Sequence, residues 1–109
     1  MSKFLSSETL KILKTQTSDL FESLLQVRRD LHKHPELSGQ ESWTSNYLAD
    51  RLDQLGLAVK TGVGNYGLVA DLITDSSKPT IALRVDMDAL PIQEINGVPY
   101  RSTIPGVMH

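Results

Sequence analysis

An apolar run, Thr80 to Val85, leads without a break into Asp86-Met87-Asp88-Ala89-Leu90-Pro91. A short apolar run bounded by turn signals suits a strand buried on both faces. Such a strand needs neighbouring strands beside it and helices above and below, so the chain is constrained towards a mixed α/β sheet. If the extended conformation continues, Asp86 and Asp88 project to the same side, roughly 7 Å apart. Ligands of open α/β sheets gather beyond the carboxyl ends of the strands, and two acids at that place could bind a cation or orient a ligand. Asp-x-Asp is a weak pattern by itself; the plainer reading is an exposed turn with solvated acids, one of them paired with Arg84.

The elements before this run fit the same class. Residues 1–17 read as a weak leading helix or a frayed arm. Ser18 and Asp19 can cap a stronger helix whose apolar positions, Leu20, Leu24, Val27 and Leu31 with Phe21 and Leu25 beside them, follow the helical period. His34-Pro35 ends it, because proline disfavours the helical conformation of the residue before it. Ser38-Gly39-Gln40-Glu41 has the form of a capping box for a helix burying Trp43, Tyr47, Leu48, Leu52 and Leu55, with Gly56 as its stop. Two strands are expected next, Leu57 to Thr61 and Tyr66 to Ile73, joined by a turn at Gly62, Gly64 and Asn65. Asn96-Gly97 between Ile95 and Val98 is a hairpin signal. The order helix, helix, strand, strand, strand indicates a mixed-sheet α/β domain.

Composition narrows the function classes. The 109 residues are enough for one small domain. A formal net charge of -2 argues against nucleic acid as a partner, since phosphate binding wants clustered excess Lys and Arg. The absence of cysteine excludes disulfides, thiolate zinc sites and cysteine nucleophiles within these residues, and fits a cytoplasmic location. Met1 to Lys14 has no apolar core of signal-peptide length, and no run approaches the roughly 18 apolar residues of a membrane span.

The remaining chemistry-bearing residues read more plainly. His32 and His34 lie two apart on a helix and do not share a face, so they read as a surface histidine and a helix-end histidine rather than joint metal ligands. His109 has no partner in view. Gly62-Val63-Gly64-Asn65-Tyr66-Gly67 is only loosely like a phosphate loop, and with no helix after it reads as a strand-to-strand turn. Arg28, Arg29, Asp30 and Lys33 read as a solvated helix face.

Four segments in order, however, resemble one family: Arg28-Arg29-Asp30-Leu31-His32-Lys33-His34-Pro35-Glu36-Leu37, Gly62-Val63-Gly64, Arg84 to Pro91, and Pro105-Gly106-Val107-Met108-His109. They look like the amidohydrolase branch of the aminoacylase/carboxypeptidase metallopeptidases, which includes hippurate hydrolases, N-acetyldiaminopimelate deacetylases and auxin-conjugate hydrolases. The resemblance implies that residues 1–109 are the N-terminal, incomplete portion of an α/β/α mixed-sheet catalytic domain. It implies a hydrolase that cleaves the amide of an N-acyl amino acid with two divalent metal ions, zinc or manganese, which activate a bridging water and polarise the amide carbonyl. Asp88 matches the family's functional aspartate, whose implied role is to orient a metal-bound histidine. Asp86 stands where related peptidase branches carry a ligand histidine. In the family the Gly-Val-Met-His segment continues into Ala-Cys-Gly-His-Asp, where the first direct metal ligands lie. The residues up to His109 are therefore expected to hold no metal alone and to be inactive alone. The alternative is a non-catalytic α/β interaction domain that keeps the scaffold. A small N-acyl amino acid is the implied partner, with no nucleic acid and no membrane; homo-oligomerisation stays open.

Overall fold

The computed structural model describes residues 5–109. It divides into two compact units, the described residues up to Asp30 and Leu31–His109, and the division falls within the second helix. The elements are α1 (Ser7–Asp19), α2 (Phe21–Lys33), α3 (Ser42–Gln54), β1 (Ala58–Val63) and β2 (Gly67–Asp71). This is an α/β arrangement, as the sequence indicates, with a smaller sheet than expected.

In the first unit, the leading segment is a regular helix from Ser7. Ser6 is its N-cap: the Ser6 hydroxyl accepts the Thr9 N–H at 3.1 Å, satisfying one of the amides that a helix start leaves without an internal partner. The part of the expected helix that falls on residues 1–4 lies outside the described residues. Helix α2 begins at Phe21 and ends at Lys33, where His34-Pro35 stops it. Its apolar stripe is only partly covered: Leu20, Phe21 and Leu24 are more than half exposed, while Leu25, Val27 and Leu31 are half-buried.

In the second unit, the start of α3 corrects the expected capping box. Gly39 at φ +81° and the Gln40 N–H···O=C Leu37 bond make Leu37–Gln40 a turn, so Ser38 lies too far ahead of the helix to cap it. The N-cap position is Glu41, which makes no side-chain cap bond. The capping carboxylate is Glu36. It accepts the N–H of Trp43 at 3.1 Å and both the N–H and hydroxyl of Thr44 at 2.6 and 2.7 Å. A carboxylate at a helix N-terminus satisfies amides there and sits at the favourable end of the helix dipole.

The far end of α3 behaves as read. Gly56, at φ +79°, donates to the Asp53 carbonyl and Leu57 to the Leu52 carbonyl, the paired closure that a left-handed residue after the helix permits. The expected burial of the α3 stripe is corrected: Thr44 and Ser45 are the buried residues of α3, while Leu55 is 74% exposed.

β1 and β2 form an antiparallel hairpin against which α3 lies. Gly62, at φ +72°, is the extra residue of a bulge between the Thr61–Leu68 and Val63–Gly67 pairs, a place that a residue with a Cβ occupies only under strain. Gly67 is required for a different reason, because a Cβ there would run into the Val63 carbonyl.

Two further sequence expectations fail. Residues 80–85 form no strand, and Ile81, Leu83 and Val85 are 87%, 95% and 81% exposed. No described strand lies beside them to complete a ladder. Regular pairing resumes only at Ala89, bridged to Leu37, and at Leu90, bridged to Met108. The Asn96-Gly97 hairpin is also absent. That segment is held by side-chain hydrogen bonds of Glu94 rather than by a ladder, and the chain turns instead at Pro99–Tyr100, where the Arg101 N–H reaches the Val98 carbonyl.

Candidate functional site

The site is built by three backbone contacts of the second unit. The Ala89 N–H donates to the Glu36 carbonyl at 2.8 Å, fixing the end of the Asp86–Ala89 segment beside the turn that follows α2. Leu90 and Met108 then exchange reciprocal N–H···O bonds at 2.9 and 3.1 Å. In an antiparallel bridge the residues flanking one partner lie near those flanking the other, so this pair brings Asp88 towards His109. Their charges interact. The His109 imidazole is held below its ordinary value, first by burial and next by the neighbouring His32, while the Asp88 carboxylate pushes it the other way.

The second component is a carboxylate–histidine pair that sequence reasoning missed. His32 Nε2 lies 2.9 Å from Glu94 Oε1, and the two side chains are 18% and 3% exposed. Facing a carboxylate acceptor, Nε2 carries the proton. The other carboxylate oxygen of Glu94 accepts the Ser102 N–H at 2.6 Å. That amide, and then the His32 hydrogen bond, hold the Glu94 carboxyl below the usual glutamate range, against the opposing effect of burial. Tyr100 meets the His32 ring edge-on, with centroids 6.0 Å apart. His32 is thus no plain surface histidine. Its partner lies 62 positions away, so no local pattern could announce it. His34 instead stacks on Trp43, which stacks on Tyr47, with centroids 4.3 and 4.9 Å apart.

The two aspartates read from the sequence separate. Asp86 pairs with Arg84 at 3.1 Å, and both side chains are largely exposed, at 70% and 88%. The plain reading of a solvated acid beside Arg84 describes this residue. Asp88 is also exposed, but it is the acid that the backbone brings towards His109. Both line an open depression of about 430 Å³ whose opposite wall is the Gly64-Asn65-Tyr66 turn. Among the described residues, no three His, Asp or Glu side chains converge into a group that could hold a metal ion. Nor is any helix among the described residues long and apolar enough to cross a membrane.

An α/β scaffold carrying the four motifs in order, with an aspartate pinned beside the Gly-Val-Met-His segment, resembles that of the aminoacylase/carboxypeptidase metallopeptidases, and the relatives the chain matches include amidohydrolases, a deacetylase and carboxypeptidases. It is 43% identical over 99 residues to YhaA of Bacillus subtilis, a protein named as an amidohydrolase, covering 91% of this chain and 25% of that one. It is 41% identical over 92 residues to the N-acetyl-L-cysteine deacetylase of the same organism, covering 84% of this chain and 22% of the relative. Among solved structures it resembles the Bacillus subtilis YXEP protein, a dinuclear metal-binding peptidase of the M20 family, with TM-score 0.78 and 36% identity over 84% of this chain and 26% of that one. The chain thus spans about a quarter of the length of the curated relatives it matches. No protein-family model matches it.

Proposed function

We propose that these residues are the N-terminal portion of the catalytic domain of a metal-dependent amidohydrolase that cleaves the amide bond of N-acyl amino acids. The observation that carries this reading is the Leu90–Met108 bridge, which draws the Asp88 segment towards His109. A carboxylate placed beside an imidazole-bearing segment fixes the tautomer of a histidine and raises its basicity. In the resembling family that segment leads directly to the metal-binding residues, so Asp88 stands where it would orient one of them. The reading includes a pair of divalent ions, zinc or manganese, in the longer protein. Among the described residues no three ligating side chains converge, so in this reading their part is to position.

What these residues do is then specific. The Glu36 carbonyl and the Leu90–Met108 bridge fix the backbone on both sides of Asp88. The Glu94–His32 pair and the Ser102 N–H hold the intervening segment in place. Asp86, tied to Arg84 at the surface, contributes less than Asp88.

The test uses the longer protein, assayed on hippurate and N-acetyl amino acids. Asp88→Asn is expected to lower kcat by about 10–100-fold while leaving the melting temperature nearly unchanged, the usual size of effect for a carboxylate behind a metal ligand. Asp86→Asn is expected to change little. A fully active Asp88→Asn variant, or a longer protein that hydrolyses none of these amides, contradicts the reading.

A further inference from the structure

The strongest feature outside the Asp88 site is a second pocket of about 420 Å³, lined by Lys33 and by parts of the 93–105 segment. The neutral polar groups of its wall are already committed. Gln93 accepts the Gly106 N–H through Oε1 at 2.6 Å and donates through Nε2 to the Glu94 carbonyl at 3.0 Å. The Ser102 hydroxyl donates to the Val107 carbonyl at 2.6 Å. The Thr103 N–H and hydroxyl both go to the Lys33 carbonyl, at 3.0 and 2.6 Å. Both oxygens of Glu94 are taken by His32 and Ser102. The wall is therefore preorganised and offers a ligand few unmet neutral groups.

Two side chains differ. Lys33 and Arg101 line the same pocket, and neither side chain has a carboxylate partner among the described residues. The one acid in the lining, Glu94, keeps its charge, but both its oxygens are engaged by His32 and the Ser102 N–H, and the two cations outnumber it. Two permanent cations beside a fixed wall select for negative charge, the lysine as a point charge and the guanidinium as a planar fork. The volume lies in the range of small-molecule pockets and far below what a macromolecular surface occupies.

We propose that this pocket binds a small anion carrying two negative charges, the chemistry shared by inorganic phosphate and short dicarboxylates. The inference does not rest on the amide-hydrolysis reading, since binding is measured on the chain itself and no activity enters the test. Inorganic phosphate and succinate are titrated separately into the full chain at low ionic strength, following the amide signals of Ser102 and Thr103 by NMR. Saturable binding of at least one probe is expected, with the tighter of the two identifying the kind of anion. Arg101→Gln and Lys33→Gln are each expected to weaken it about tenfold, the worth of one charged hydrogen bond. Arg101→Lys, which keeps the charge and loses the fork, is expected to fall between Arg101→Gln and the unsubstituted chain. Lys60→Gln, on β1, is expected to bind as the unsubstituted chain does. Neither Gln substitution removes an internal contact, and unchanged amide spectra without ligand confirm that both variants fold. Absence of saturation with both probes, or equal affinity in Arg101→Gln, Lys33→Gln and Lys60→Gln, overturns the assignment.

Discussion

Residues 80–85 and residues 94–109 lie close together in the sequence and have opposite fates. The first is a largely apolar stretch, and it ends up with Ile81 and Leu83 almost wholly in solvent. The second has no regular secondary structure, yet it is pinned by Glu94 to His32, by Thr103 to Lys33 and by Met108 to Leu90. Apolar character drives burial only where a complementary surface exists, whereas a carboxylate or hydroxyl aimed at a backbone amide creates order one bond at a time. The order of the site comes from polar ties, and the apolar segment pairs with no strand among the described residues.

The largest effect should come from supplying or denying that partner. An exposed apolar extended segment is a template for pairing with another chain, so the chain is expected to self-associate. Light scattering across a concentration series should show rising average mass for the unsubstituted chain and a flat, monomeric trace for Ile81→Lys combined with Leu83→Lys. A monodisperse unsubstituted chain with a cooperative transition above about 65 °C would remove the contrast between the two regions.

A smaller loss is expected from the ordered side. Glu36 caps α3 through three hydrogen bonds, and Glu36→Ala should cost about 2 kcal/mol in urea unfolding, near the upper end for a lost cap. Glu36→Gln, which keeps an acceptor, should cost less. An unshifted urea midpoint for Glu36→Ala would mean that polar ties are not what orders this part of the molecule.

The smallest effect is read from the acid limb of the stability curve. Glu94 titrates below its ordinary range when folded, because the Ser102 amide and His32 favour the carboxylate. Its contribution is fully present above the unfolded glutamate value of 4.5 and is lost as pH falls through the lower folded value. Stability should therefore decline on acidification below that point, and Glu94→Gln should lower stability at neutral pH and flatten the acid decline, the two proteins converging once the carboxylate is protonated. An identical acid limb in both proteins would show that the carboxylate charge is not what these bonds depend on.

Much of the fold was legible because its signals are local. His34-Pro35 ends α2, Gly56 ends α3, and the glycines around Asn65 turn β1 into β2; each acts through the backbone of its own neighbourhood. The capping box misled because the same residue types can form a turn ahead of a helix, and the true cap, Glu36, sits on the far side of that turn. The strand at 80–85 misled because a strand is a property of two segments, and periodicity reads one. Asp88 was singled out through the resemblance of its segment to a family. His32–Glu94 was not found, since neither residue carries a mark of the other along the chain.

The Thr103 hydroxyl closes onto the Lys33 carbonyl across 70 positions of sequence, and between those two points lie α3, the hairpin and the polar Asp75–Pro79 loop. The entropy of such a closure grows only with the logarithm of the enclosed length, so doubling the loop costs about 0.6 kcal/mol. A few residues gained or lost within Asp75–Pro79 would change the closure by a small fraction of that. The clasp thus tolerates changes of length where the enclosed chain is polar and exposed, because its closure depends on the two ends and only weakly on what lies between.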